Sequence, residues 1–197
     1  MTAPPRILLA SASRARRDML KAAGLDFAVV PADIDEEPIR RAALSPEAAA
    51  RELALAKALT VSSRHSGALT IGADQILECE GRILNKACTL EEARDTLIAL
   101  SGRRHRLLSA FALVMDGRLH ARHLARASIE MRRLDAAEIE DYISHAAEDC
   151  LGSVGCYAIE GRGITLMKRI SGGHDVIRGL PMLPLLAALR DAGAKGL

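Results

Sequence analysis

Residues 7–20 read ILLASASRARRDML, and a hydroxyl-rich turn in this stretch joins a short apolar run to a helical pattern. The run predicts a buried strand, and the positions from Arg14 predict a helix that stops at Gly24. Free backbone N–H groups at a helix start attract anions, and arginine binds phosphate oxygens bidentately. The stretch therefore favours a phosphate-binding turn. Two other interpretations stay open: Ser11 and Ser13 as helix N-caps, and the arginines as a solvated face.

Length and composition bound the class of protein. A chain of 197 residues suits one domain, spanning 1–197, or a domain with two lobes. Two Phe, two Tyr and no Trp argue against single-strand nucleic-acid binding, which uses aromatic stacking platforms. A net charge of +2 indicates neither nucleic acid nor membrane as a partner. No apolar run approaches the ~20 residues of a membrane span, and a cytoplasmic protein is expected.

The cysteines give no sign of a metal or disulfide framework. They are Cys79, Cys88, Cys150 and Cys156, and none forms a C-x-x-C pair. In a chain with no signal peptide, reduced core thiols are expected.

An acidic segment follows the first helix. Residues 31–38, PADIDEEP, carry four carboxylates bracketed by prolines, a pattern typical of an exposed loop. Such a loop is either solvated or binds a metal, since Mg²⁺ takes one or two carboxylates together with substrate phosphates. Glu36 is the preferred metal ligand, with Asp35 behind it.

The next two predicted elements each carry an ionisable residue on an apolar background. Ser45 and Pro46 predict a helix start, and Lys57 falls near the apolar face of that helix. Lys57 either snorkels to solvent or points into a cleft. Residues 68–72 predict a buried strand that runs into Asp74. A lone acid in an apolar run is costly unless it is paired or bound to metal, so Asp74 is the best catalytic candidate. A strand-end Asp capping a loop is the alternative.

Turn and cap signals organise the rest of the chain. Glu80-Gly81 and Asp116-Gly117 predict hairpins. Thr89 and Asp135 predict helix caps. The basic residues 103–106 predict a solvated turn, 152–163 are glycine-rich, and 164–170 predict a strand.

Eight motifs occur in order along the chain: LLASASRARRDMLKAAGLDF, DIDEEP, LALAKA, IGADQIL, NKA, EEARDTLIALSGRRH, GCYAIEGRG and GLPMLPLLAAL. In this order and spacing they are specific, and the chain resembles the Maf family of nucleoside triphosphate pyrophosphatases from end to end. The resemblance implies an α/β fold like that of inosine triphosphate pyrophosphatases, with an elongated mixed sheet flanked by helices around a central cleft.

The resemblance also implies an activity. The expected reaction is hydrolysis between the α- and β-phosphates of a nucleoside triphosphate, with a divalent cation, Mg²⁺ or Mn²⁺, and a house-cleaning role. A homodimer in the cytoplasm is expected. Asp74 matches the family's general base. The matches to the family's phosphate and metal sites are Ser11, Arg16, Glu36, Lys57 and Lys86.

Base preference is implied by two further positions. Gln75 and Glu160 resemble the branch that acts on 7-methyl-GTP, and a carboxylate can accept hydrogen bonds from a guanine-type N1–H and amine. Ala15 matches neither branch of the family, and Asn85-Lys86-Ala87 replaces the usual Gly-Lys-Pro. The alternatives are a pyrophosphatase that prefers dTTP or UTP, and a non-catalytic nucleotide-binding regulator of cell division.

Overall fold

The structure, a computed structural model, describes residues 4–194, within which seven strands and eight α-helices form. The strands are β1 (Ile7–Leu9), β2 (Ala28–Val29), β3 (Leu69–Cys79), β4 (Arg82–Leu84), β5 (Arg104–Met115), β6 (Arg118–Met131) and β7 (Met167–Ser171). The α-helices are α1 (Arg14–Ala22), α2 (Glu37–Ala42), α3 (Pro46–Ser62), α4 (Leu90–Leu100), α5 (Ala136–His145), α6 (Ala147–Gly152), α7 (His174–Ile177) and α8 (Met182–Asp191). Within residues 4–194, no helix is both long enough and apolar enough to cross a membrane.

Side-chain caps begin four helices, α1, α3, α4 and α5, where the sequence indicates. Ser13, Ser45 and Thr89 each accept a hydrogen bond from the backbone N–H three residues on. Asp135 and Glu138 form a reciprocal capping box at the start of α5. The predicted caps at Ser45, Thr89 and Asp135 are confirmed, and Ser13 caps α1.

Two tight hairpins form at the predicted dipeptides. Glu80 and Gly81 have φ of 52° and 80°, and Asp116 and Gly117 have φ of 50° and 73°. Two consecutive left-handed residues match the right-handed twist of the strands that they join.

The strands form one mixed sheet. Its order is β2-β1-β3-β5-β6-β7, with β4 paired to β3. β1 is parallel to both β2 and β3, whereas β3 with β4 and β6 with β7 are antiparallel. Helices between the parallel strands supply the crossovers that such pairs require. The predicted mixed α/β sheet is therefore confirmed.

The chain divides into two compact units. The first unit comprises the described parts of Met1–Gln75, Ser109–Ala125 and Gly179–Leu197. Its main core packs β1, β3 and β5 against α1 and α8, with Leu9, Leu20, Ile71, Phe111 and Leu185 among its buried side chains. The second unit comprises Ile76–Leu108 and Arg126–Arg178.

Local patterns mispredict several boundaries. β3 does not end at Gly72 but continues to Cys79, so Asp74 lies inside a strand. The basic residues 103–106 are not a solvated turn, because β5 begins at Arg104 and His105 is buried. Residues 164–166 belong to a 3₁₀ helix (Arg162–Leu166) rather than to β7. Pairing with neighbouring strands, which a local pattern does not contain, sets these ends.

The four cysteines are all free, but they are not all in the core. Cys79, Cys150 and Cys156 are buried, as expected, whereas Cys88 is exposed. Cys88 directly precedes the cap of α4, where its backbone N–H donates to Glu92 Oε2. The prediction of core thiols is therefore wrong for Cys88.

Candidate active site

A close approach between α3 and β3 brings the candidate catalytic residues together. A Cβ added to Gly72 would lie 2.1 Å from the Ala54 carbonyl oxygen and 2.5 Å from the Ala58 nitrogen, so the helix rests on bare backbone. Asp74 follows two residues along β3 and therefore projects from the same face of the strand. Lys57 lies one turn from Ala54 on α3 and meets Asp74 there.

Lys57 bridges two carboxylates. Its Nζ lies 2.6 Å from Asp74 Oδ1 and 2.7 Å from Glu36 Oε1. The side chain of Lys57 is 12% exposed and that of Asp74 is 6% exposed, whereas that of Glu36 is 34% exposed. Both distances are those of charge-assisted hydrogen bonds. Lys57 therefore points inward, which decides between the two orientations that the sequence left open.

The second oxygen of Glu36 is held by Arg40. Arg40 Nη2 donates to Glu36 Oε2 over 2.6 Å, one helical turn along. Burial raises the pKa of Glu36, but its hydrogen bonds to Lys57 and Arg40 and their positive charges outweigh this, so the pKa lies below its ordinary value. Glu36 is therefore a carboxylate at neutral pH, with two cations fixing its orientation.

Asp74 presents an oxygen that no protein group satisfies. The residue is 4% exposed, and within residues 4–194 its Oδ2 is buried without a hydrogen-bond partner. A buried carboxylate oxygen left without a donor is costly, and such atoms commonly mark a place for water, metal or ligand. The interpretation of Asp74 as a strand-end cap is wrong, because the residue lies within β3.

Arg16 is buried in the protein rather than exposed on its surface. It is 8% exposed, and its Nε donates to the Gly179 carbonyl over 2.9 Å. Its Nη1 donates to Ser11 Oγ over 3.0 Å and to the Ala73 carbonyl over 2.9 Å. Ser11 therefore positions Arg16, and the solvated-face interpretation is wrong for this arginine.

The charge of Arg16 is placed beside the carboxylate cluster. Burial lowers the pKa of Arg16, although the charges of Asp74 and Glu36 act in the opposite direction. A guanidinium stays protonated far above neutral pH, so Arg16 carries a fixed positive charge there. Arg14 and Arg17, by contrast, lie at the surface and pair loosely with Asp18.

Gln75 is held by a neighbouring strand. Its Nε2 donates to Ser109 Oγ on β5 over 2.9 Å, and its Oε1 would lie 3.4 Å from a Cβ at Gly179. The amide is therefore oriented, and it lies beside Gly179, to whose carbonyl Arg16 donates.

Two predicted site residues belong to the second unit. Glu160 Oε1 accepts a hydrogen bond from Arg178 Nε over 3.0 Å, and its side chain is 43% exposed. Lys86 is exposed in the segment that follows β4. The geometry of the first unit thus groups Ser11 with Arg16, and Glu36 and Lys57 with Asp74, while Glu160 and Lys86 belong to the second unit.

The carboxylates of the first unit fit a metal that arrives with a nucleotide. Within residues 4–194 no three His, Cys, Asp or Glu side chains form a complete metal cage. Mg²⁺ in nucleotide sites needs only one or two carboxylates, because phosphates and water complete its shell. Glu36 Oε1 and Asp74 Oδ1 converge on one point, where Lys57 Nζ lies within 2.7 Å of both. This donor set suits Mg²⁺ or Mn²⁺.

Sequence reasoning missed three residues that shape the site. Arg40 holds Glu36, Arg178 holds Glu160, and Gly72 admits α3. The four-residue spacing of Glu36 and Arg40 was a usable signal, since opposite charges at that spacing meet on a helix. Nothing in the sequence indicates the other two contacts, which join residues from different elements.

Comparison with known proteins places the chain among close relatives. The family model described as Maf-like protein matches residues 6–192. A 7-methyl-GTP pyrophosphatase of Mesorhizobium japonicum is 47% identical, over 96% of this chain and 97% of its own. A nucleoside triphosphate pyrophosphatase of Nitrobacter winogradskyi is 48% identical, over 94% of this chain and 93% of its own. A solved dITP/XTP pyrophosphatase from Mycobacterium abscessus is 16% identical, covers 95% of this chain and 94% of that chain, and has a TM-score of 0.44.

Proposed function

Because this chain belongs to the Maf family, we propose that it hydrolyses the bond between the α- and β-phosphates of nucleoside triphosphates, releasing a nucleoside monophosphate and pyrophosphate. Relatives named as pyrophosphatases match it over nearly their whole length. The observation that carries the proposal is the cluster of Lys57, Glu36 and the buried Asp74, in which Asp74 Oδ2 has no hydrogen-bond partner among residues 4–194.

Asp74 is the proposed general base. Its Oδ1 faces the position that Lys57 takes in this structure and that the cation would take in its place, so Oδ2 is the atom that accepts a proton from an attacking water. Because Asp74 lies inside β3, its backbone cannot shift as it could in a loop. A base held in one orientation needs no rearrangement when the reaction occurs.

Glu36 and Asp74 would hold the divalent cation, Mg²⁺ or Mn²⁺. When bound, the cation supplies charge stabilisation for the phosphate oxygens of the leaving pyrophosphate. Arg40 keeps Glu36 oriented for this role and holds it ionised. The carboxylates give the cation hard oxygen ligands of the kind that it prefers.

Cationic side chains would neutralise the triphosphate. Arg16 is fixed through Nε and Nη1, which leaves its Nη2 edge to meet an anion. Lys57, Lys86 and Ser11 are the other proposed phosphate ligands, and Ser11 Oγ also accepts a hydrogen bond from Arg16 Nη1. Positioning and charge stabilisation of this kind account for most of the catalysis in phosphoryl transfer.

A purine is the proposed base, and 7-methyl-GTP is the first candidate. Glu160 would accept hydrogen bonds from guanine N–H groups through the oxygen that Arg178 leaves open, and Gln75 is the second proposed contact. A preference for dTTP or UTP is the alternative within the family. The homodimer and the cytoplasmic location stay predictions.

Pyrophosphate release tests the proposal. The assay presents canonical and modified triphosphates, including 7-methyl-GTP, with Mg²⁺ or Mn²⁺ and with a chelator. Asp74→Asn should lower the rate by about 10²–10⁴, the effect of removing a general base. Asp33→Asn, the same change at an exposed carboxylate of the acidic segment, is the matched control and should leave the rate unchanged.

Each contrary result has a definite meaning. Fastest turnover of dTTP would refute the proposed role of Glu160 while keeping the enzyme. Full activity of Asp74→Asn would remove Asp74 as the base. Nucleotide binding without pyrophosphate release by the wild type would favour the non-catalytic regulator.

A further inference from the structure

The ammonium group of Lys57 occupies the point on which two carboxylates converge. Its Nζ lies between Asp74 Oδ1 and Glu36 Oε1, at 2.6 and 2.7 Å. These are the same two residues whose oxygens suit a divalent cation. A cation shared by both carboxylates would compete with Lys57 for this position, since two positive charges in contact repel strongly in a partly buried site.

We propose that Lys57 is an exchangeable counter-ion. In the free protein it neutralises Glu36 and Asp74; when the divalent cation binds, Lys57 leaves this position and turns to the phosphates of the nucleotide. The inference rests on the proposed function, which assigns the cation to these two carboxylates.

The neighbouring side chains are arranged so that Lys57 is the group that moves. Its charge stands at the end of a flexible four-carbon stem. Arg16 is locked by three hydrogen bonds to Ser11 and two backbone carbonyls, and Arg40 holds the outer oxygen of Glu36. Glu36 therefore keeps its place when Lys57 departs.

The exchange couples the binding of the divalent cation to the binding of the nucleotide. Without nucleotide, a cation must displace an ammonium from its contacts with both carboxylates and offers it no phosphate in return, so metal binding is weak. The nucleotide supplies phosphates for Lys57 and thereby raises the affinity for the cation. A variant that lacks the Lys57 ammonium group would bind the cation well even without nucleotide.

Binding of Mn²⁺ in the absence of nucleotide tests the proposal, with free Mn²⁺ followed by electron paramagnetic resonance. Lys57→Met should bind Mn²⁺ about tenfold or more tightly than the wild type, because a repelling charge at contact distance is gone. Arg40→Met also removes a positive charge that contacts Glu36, but Arg40 does not pair with Asp74. This variant should therefore raise the Mn²⁺ affinity clearly less than Lys57→Met does. The proposed exchange would be overturned by equal Mn²⁺ affinities of the wild type and Lys57→Met, or by equal gains in affinity for the two variants. It would also be overturned if neither the wild type nor Lys57→Met bound Mn²⁺.

A second measurement uses the wild-type chain and does not depend on the folding of a variant. An amine-reactive ester labels lysines in the absence of nucleotide, with no Mg²⁺ and with Mg²⁺ at a saturating concentration, and mass spectrometry compares Lys57 with the exposed Lys21. Mg²⁺ should raise the labelling of Lys57 relative to Lys21, and unchanged or lower labelling would contradict the proposal.

Turnover separates this inference from the proposed function. Pyrophosphate release with no change in Lys57 labelling would reject the exchange alone. Increased labelling with no pyrophosphate release from any nucleotide would support the exchange and reject the enzyme.

Discussion

Replacing Gly72 with alanine should separate α3 from β3 and thereby disturb the site as well as the core. The added Cβ would lie 2.1 Å from the Ala54 carbonyl oxygen and 2.8 Å from Ala58 Cβ. Both alanines are fully buried, and the nearest atoms belong to the backbone, so no side chain can rotate away. The helix itself must move.

The size of the effect follows from this contact. Bringing the 2.1 Å approach to Ala54 up to 3.0 Å requires a shift of about 1 Å. Overpacking of a buried site costs about 1–3 kcal/mol, and a clash with backbone lies at the upper end of that range. For a chain of this size, about 3 kcal/mol lowers the melting temperature by about 6–12 °C. A shift of about 1 Å between Lys57 and Asp74 should also cost about 10²-fold in turnover.

Urea unfolding followed by circular dichroism measures the stability change, and pyrophosphate release measures the turnover. Gly152→Ala is the matched control, because a Cβ there meets no atom within 4 Å. It should stay within about 0.5 kcal/mol of the wild type. If Gly72→Ala is as stable as Gly152→Ala and keeps full turnover, the close approach of α3 to β3 does not hold the site together.

Three further changes test individual contacts. Arg16→Lys should lower the free energy of unfolding by about 1–3 kcal/mol, because lysine cannot reach the carbonyls of both Ala73 and Gly179; unchanged urea unfolding would show that these bonds add nothing. Burial lowers the pKa of His105 from 6.5 to about 4, so in the pH range between these two values the unfolded chain binds a proton that the folded chain does not bind. The free energy of unfolding should therefore fall by about 3 kcal/mol as the pH drops through this range. His105→Gln should make the free energy of unfolding, measured with urea at several pH values, depend less on pH. The same pH dependence in the variant and the wild type would exclude His105 as the cause. Tyr157→Phe removes the partner 2.6 Å from His105 Nε2 and should cost about 1–3 kcal/mol in the same assay, whereas no loss would mean that another group satisfies the ring.

Much of the fold could be predicted because its signals are local. Ser45 caps α3 through the backbone three residues on, and Glu80-Gly81 turns the chain within its own span. Signals of this kind act over a few residues and are visible in sequence. The limits of β3 and the burial of His105 were mispredicted because neighbouring strands decide them. Sheet pairing joins residues that are distant along the chain.

For the site, the sequence determined which groups are available: an aspartate in an apolar run, a lysine on the apolar face of a helix, and an acidic segment. Only the tertiary structure decided their arrangement. It placed Lys57 between Glu36 and Asp74 and, in the part of the chain that the structure describes, left one Asp74 oxygen without a partner. The physical reason is the packing of α3 on β3 at Gly72, because a contact between elements depends on how closely their backbones approach. Periodicity along one element contains no information on that distance.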